Sequence, residues 1–178
     1  MPALRQKNIY KGEAGMKEIP LTQGTFAIVD DEDYEWLNKY KWFLSISCSS
    51  AYATRSARRE EGRQHTIFMH REILQCDRGF VIDHKNGNHL DNRRSNLRVA
   101  TRSQNAANAK KRRTGSSRYK GVAWYKPRKQ WISQITRKGL SSVIGFFDDE
   151  IDAAKAYDAA ALEEYGEFAR PNFPQVKL

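Results

Sequence analysis

Between Asn92 and Phe147 the chain has no aspartate or glutamate, although 15 lysines and arginines fall in the same stretch. A surface meant only for water mixes charge signs, because opposite neighbours stabilise an element and keep the molecule soluble. A run of this length without one carboxylate suits a polyanion laid along it. A charged linker is the bland alternative, but aromatic and β-branched residues recur inside the run. Residues 1–91 balance 13 bases against 13 acids, and residues 148–178 hold 8 acids against 3 bases, so the net charge of +10 sits in the middle of the chain.

Other scarcities exclude other classes. There are two cysteines, Cys48 and Cys76, with no CxxC pair and no zinc-type cluster, so they are expected as reduced thiols of a cytosolic protein. No apolar run approaches a membrane span, and MPALRQKNIYKGEAG lacks the apolar core of a secretory signal. The expectation is a cytoplasmic protein without a membrane partner, with residues 1–16 as a loose polar tail. With 178 residues and 39% hydrophobic content, any core is small.

What is present divides into three regions. Residues 17–66 read as a mixed, β-rich region. In it, DDEDYEWLNKY (30–40) predicts a short helix capped by Asp30, with Tyr34, Leu37 and Tyr40 as its buried stripe. WFLSIS and AYATRS predict strands turning at Ser49-Ser50, and ARREEGRQH a polar loop. In residues 67–108, TIFMHREIL is a strand entering a short helix, FVIDH and NLRVAT are strands, and KNGNHLDN is a loop whose Asn-Gly favours a positive φ. Thr101 and Gln104 form a T-x-x-Q capping box, which starts the next helix at Arg102. NAKKRRTGSSR predicts a basic, flexible tether, residues 109–117. In residues 118–175, RYKGVAWY, KQWISQIT and SSVIGFF predict three strands. A helix follows, with Asp148 as cap and Gly166 as stop, burying Ala153, Ala156, Tyr157, Ala160 and Ala161.

VIDHKNGNHLDNRRSNLR (81–98) carries the chemistry. An imidazole that titrates near neutrality stands beside a hard carboxylate, followed by arginines. Phosphodiester hydrolysis needs a base for water, a divalent ion for the phosphate, and oxygen ligands for that ion. His84 and Asp83 at a strand end supply the first and last, provided water reaches His84.

MHREIL followed by DHKNGNHLDNRRSNLRVATRSQN, residues 69–108, resembles the HNH endonucleases, in the homing-endonuclease branch of phages and mobile introns. D-H, N-G-N, D-N, S-N-L-R and T-R-S-x-N occur in order. The resemblance implies a ββα-metal centre in which His84 is the general base and Asp83 a metal ligand. It makes Asn96 the brace that orients His84, and Asn105 a second, amide ligand. The last histidine of the motif name is absent, which favours one Mg2+ or Mn2+ over zinc, and no structural zinc is expected. His70 and Arg71 are near-site candidates, His70 with a structural alternative. His65 and His89 are expected in solvated loops, and Arg93, Arg94 and Arg98 at phosphates.

YKGV, the Trp131 strand and IGFFDDEIDAAKAYDAAALEEYGEFARPNFP resemble the plant ethylene-response-factor, or APETALA-type, DNA-binding domain. That implies a three-stranded antiparallel sheet on one helix, with an exposed face entering the major groove. By position, Lys120, Tyr125, Arg128, Gln130, Gln134 and Thr136 take the contacting places. Lys126, Lys129, Arg137 and Lys138 meet phosphates from the turns. Ala123, Tyr125 and Thr136 replace arginines of the plant pattern, and Ser141 and Val143 stand where the third strand usually offers Arg and Trp. The plant target sequence therefore does not transfer. Trp131 is expected in the core; Trp124 is left open.

The expectation is an α+β metal-dependent endonuclease that nicks double-stranded DNA as a monomer, from a phage-infected or bacterial cell, a double-strand break needing either a second subunit, as in a homodimer, or a second event. The alternative is a non-enzymatic DNA-binding regulator with a nuclease remnant. On the first reading, a chain ended after Asn108 keeps its metal site but loses affinity for DNA.

Overall fold

The computed structural model describes residues 15–47, 50–58, 62–111, 114–137 and 139–174. The N-terminal tail up to residue 14, Cys48, the Ser49 corner and Lys138 lie outside the described residues. The chain is α+β, built from small antiparallel sheets and short helices, and falls into two compact units. One runs up to Ile73 and includes His89–Asn96. The other holds Leu74–Asn88 and the chain from Leu97 onward.

In the first unit, β1 (Met16–Pro20) and β2 (Phe26–Asp30) form a hairpin that leads into α1 (Asp31–Leu37). Asp30 stands at the N-cap as the sequence predicts, but its side chain makes no capping bond and accepts from the Arg94 amide at 2.7 Å. Of the expected stripe, Leu37 is buried while Tyr40 is exposed. Asp33 is buried instead, accepting from the Trp36 indole and the Arg94 guanidinium. Hydrophobic periodicity cannot foresee this, because what permits burial of a carboxylate is a partner 61 positions away. A meander of β3 (Phe43–Ser47), β4 (Ser50–Arg58) and β5 (Gln64–Phe68) then enters α2 (Met69–Ile73). His65, expected in a loop, lies in β5 opposite Ala57. Ile19, Val29, Leu37, Trp42 and Met69 form the centre of the unit, with the Trp42 indole donating to the Leu37 carbonyl at 2.9 Å.

In the second unit, β6 (Val81–His84) pairs antiparallel with β7 (Leu97–Ala100), and α3 (Arg102–Asn108) follows. The capping box forms as the sequence predicts: Thr101 Oγ1 accepts from the Gln104 amide, and Gln104 Oε1 from the Thr101 amide. A three-stranded antiparallel sheet follows, β8 (Val122–Tyr125), β9 (Gln130–Arg137) and β10 (Leu140–Phe147), with β9 central. It is backed by α4 (Glu150–Tyr165), which ends at Gly166. The cap of α4 is Asp149, one residue later than the sequence suggests, with Oδ1 accepting from the amides of Ile151 and Asp152.

Ala153, Ala154, Tyr157 and Ala161 bring α4 close to the sheet, and Trp131 packs against Val122, Ala153 and Ala154 as expected for a core residue. Trp124 meets it edge-on at 5.1 Å and is 39% exposed. Asp158, outside the expected stripe, is buried because Asn172 and Phe173 of the N-F-P tail donate to it. Burial pushes the Tyr157 phenol up to about 12, with Asp158 and Tyr165 adding to the rise. Gly121 of Y-K-G-V lies directly over this ring. At φ +77° a Cβ there would fall 1.9 Å from Tyr157 Cδ2. Gly121→Ala is expected to destabilise the protein by at least about 2 kcal/mol, combining overpacking with a disfavoured φ. A denaturant midpoint equal to that of the wild type would contradict this account of the motif.

Residues 109–111 and 114–117, from the segment expected as a tether, fall inside this unit, and residues 112–113 lie outside the described residues. The last carbonyls of a helix need partners, and those of α3 find them in the C-terminal domain. Lys120 Nζ donates to the carbonyls of Ala106, Ala107 and Ala109, and the Arg170 amide donates to Ala107 at 3.2 Å. Lys120, expected at DNA, is thus a cap for α3. Burial pushes its ammonium down to about 8; the Arg170 guanidinium adds to the fall and the Asp158 carboxylate opposes it.

Candidate active site and DNA-binding face

β6 ends at Asp83-His84 because β6 and β7 pair through His84 and Leu97, and the turn at Gly87, with φ +72°, folds its amide back onto the His84 carbonyl at 2.8 Å. Both side chains are buried, Asp83 at 3% and His84 at 2% exposure. The role expected of His84 requires that water reach it; here the fold covers it.

Asp83 is held on both oxygens. Its cross-strand partner Arg98 donates from Nε and Nη2 to Oδ2, each at 2.8 Å. Asn108, on the last turn of α3, donates from Nδ2 to Oδ1 at 2.9 Å and to the His84 carbonyl at 2.8 Å. Each carboxylate oxygen offers two acceptor positions, so Oδ1 keeps one beyond the amide. Asn108 was not foreseen from the sequence. The signal was its spacing: it stands three residues after Asn105 on a helix whose predicted start was already known, so both lie near one face. Asn105 itself is exposed on the first turns, its backbone amide bonded to the Thr101 carbonyl. Asn96 is buried in the first unit and donates from Nδ2 to the Asp91 carbonyl at 2.7 Å, closing the D-N-R-R-S-N loop.

The arginines expected at phosphates are committed to carboxylates instead. Arg93 forks onto Asp91 at 2.8 and 2.7 Å. Arg94 forks onto Asp33 at 2.8 Å through both nitrogens and meets Glu32, and the Asp33 hydrogen bond is the main reason its pKa lies above the usual value. Arg98 binds Asp83, donates to the Glu167 carbonyl at 2.8 Å, and lies 4.0 Å over the Phe168 ring. Arginine's fixed fork suits such bidentate pairing. His70 is buried in an aromatic group with Tyr52 and Phe68, and His89, expected in solvent, stacks on Tyr52 at 4.6 Å. Arg71 is exposed.

Among the described residues no three His, Cys, Asp or Glu side chains converge. The side chains brought together at the strand end are the Asp83 carboxylate and the Asn108 amide, oxygen-bearing groups that suit a hard divalent ion better than zinc; Asn105 is hydrogen-bonded to neither.

On the C-terminal sheet, Tyr125 stands opposite Gln130, Gln134 opposite Val143, and Thr136 opposite Ser141. Alternation along β9 then puts Gln130, Gln134, Thr136 and Tyr125 on one face, away from α4. Lys126, Arg128 and Lys129 are exposed in the β8–β9 turn, with Arg128 4.2 Å over the Phe146 ring. Gln130 is bonded to Asp148 and Gln134 to Ser141. Arg137, expected at a phosphate, pairs with Glu164 of α4 at 3.0 Å.

The HNH endonuclease family model matches residues 75–107. The chain is 31% identical over 150 residues to an uncharacterised HNH endonuclease of Acanthamoeba polyphaga mimivirus, covering 84% of this chain and 76% of that protein. It is 37% identical over 62 residues to protein 3.8 of Escherichia phage T7, covering 35% of this chain and 51% of that protein. Its C-terminal region is similar to AP2/ERF-type proteins. One is an AP2/ERF and B3 domain-containing protein of Oryza sativa subsp. japonica, 48% identical over 59 residues, which are 33% of this chain and 16% of that protein. No helix among the described residues is long and apolar enough to cross a membrane.

Proposed function

The chain belongs to the HNH endonucleases, and we propose from that premise that it nicks duplex DNA, anchored by its C-terminal sheet. It is a DNA endonuclease. In our reading His84 is the general base, Asn96 orients it, and Asp83 and Asn105 hold one Mg2+ or Mn2+. The observation that carries this is the meeting of Asp83, at the strand end, with Asn108 of α3, three residues beyond Asn105, beside the His84 backbone.

The residues present fit a divalent ion. Oδ1 of Asp83 keeps an acceptor position, Asn105 is exposed on α3, and Arg98 holds the carboxylate aimed through Oδ2. When bound, the ion would hold the scissile phosphate and stabilise the departing oxygen. His84 takes a proton from water, whose oxygen bonds to phosphorus as one ester P–O bond breaks. Tyr125, Gln130, Gln134 and Thr136 face the groove, while Lys126, Arg128 and Lys129 meet the backbone. The buried His84 must be uncovered when DNA binds; free-state geometry often tightens only in the complex.

One such centre cuts one strand, so a double-strand break needs a second subunit or a second event. Supercoiled plasmid with Mg2+ or Mn2+ is expected to give nicked circles before linear DNA, and chelation should stop it. The burial of His84 makes its uncovering the step on which nicking depends. Duplex binding with no cleavage by either metal would overturn the nicking proposal.

A further inference from the structure

A cavity of about 370 Å³ opens in the second unit beside the Asp83–Asn108 pair, lined by Lys85, Arg98, Asn108, Glu167 and Arg170 among others. Its two ends come from distant parts of the chain. Lys85 belongs to the loop that follows His84, and Arg170 to the segment after α4. Arg98 is occupied by Asp83 and Glu167. Arg170 is different: it is half-buried, and no carboxylate pairs with it among the described residues.

Its guanidinium is nevertheless placed with care. Nη1 lies 2.8 Å from where a Cβ on Gly87 would stand, so the guanidinium packs directly over a turn whose φ of +72° already favours glycine. Its backbone is tied to α3 through Ala107. A half-buried guanidinium without a counter-ion carries a solvation cost that an anion would relieve. The nearby Lys120 ammonium, already pushed down in part by Arg170, adds to the positive field rather than neutralising it.

We propose that Arg170, with Lys85, seats a phosphate of the bound DNA strand next to the hydrolytic centre, so that the C-terminal domain contributes a binding residue to the nuclease site as well as an anchor. This rests on the proposed function. The ligand class is a phosphodiester, recognised by charge and by the guanidinium fork.

The test uses the full-length chain and duplexes carrying one uncharged methylphosphonate at each position around the cut, read for both affinity and cleavage. Wild type should lose about tenfold at one phosphate near the cut, as expected for a charge-assisted contact. Arg170→Gln should lose about tenfold on unmodified DNA, become indifferent at that phosphate alone, and show a salt slope lower by about 1. Retention of the wild-type sensitivity profile by Arg170→Gln would overturn the assignment. If that variant loses the wild-type circular dichroism, Arg170→Met, which keeps an aliphatic stem without the charge, replaces it. A weakened sensitivity at the same phosphate supports the seat, and an unchanged profile defeats it. If wild type never cleaves, the nuclease reading fails, and the affinity scan alone decides on Arg170.

Discussion

His84→Ala is expected to lower metal-dependent nicking by about three orders of magnitude, within the range of a lost general base, while leaving affinity for duplex DNA close to that of the wild type. The separation follows from how the residue is held. Its backbone is fixed by the β6–β7 pairing, by the Gly87 amide and by Asn108 Nδ2, none of which uses the imidazole. Removing the ring therefore leaves Asp83 and its partners in place. It also leaves a cavity where a buried ring stood, which costs stability on the order of 1–2 kcal/mol. The comparison belongs well below the melting temperature of the variant, with circular dichroism as the control. Single-turnover nicking and a binding titration on the same duplex check the result. A rate within a few-fold of wild type would remove His84 from the chemistry and shift the base to another group.

The sequence disclosed what local chemistry determines. The start of α3 could be read from Thr101 and Gln104, since a capping box needs only four residues. The three strands of the C-terminal sheet and the stop at Gly166 followed from period and turn residues, and the pair Asp83-His84 from its place before an Asn-Gly turn. What stayed hidden is the choice of partner across long separations. The excess of positive charge was visible, but not that Arg94 is spent on Asp33, Arg98 on Asp83 and Arg137 on Glu164. A cation reads the same in sequence whether it awaits a phosphate or already holds a carboxylate. Asp33 and Asp158 were missed as buried residues for the complementary reason: burial of a charge depends on donors that the local pattern does not contain. Nor did the sequence reveal that Lys120 holds three carbonyls of α3, because those partners lie 11 to 14 positions away in another element.

Those carbonyls change what truncation should do. A tethered C-terminal domain could be removed without touching the nuclease centre. Here, ending the chain after Asn108 removes Lys120 and the Arg170 amide from the end of α3, the Tyr165 hydroxyl from Ser103, and both Glu167 and Phe168 from Arg98. A helix of seven residues is too short to persist without tertiary partners. Its loss frees Asn108 from Asp83 and leaves Arg98 with a single restraint. The truncated chain is therefore expected to lose nicking to below about 1% of wild type, as for a site that has lost its base geometry, and not merely to bind DNA more weakly. Amide hydrogen exchange distinguishes the mechanisms. Loss of protection from Arg102 to Asn108 together with loss of nicking supports the coupling through Lys120. Protected α3 amides and wild-type nicking at saturating DNA would mean that residues 109–117 act as a tether after all. Full-length Lys120→Met isolates the cap from the anchor: it should weaken protection of α3 while Tyr125, Gln130, Gln134 and Thr136 still face the duplex.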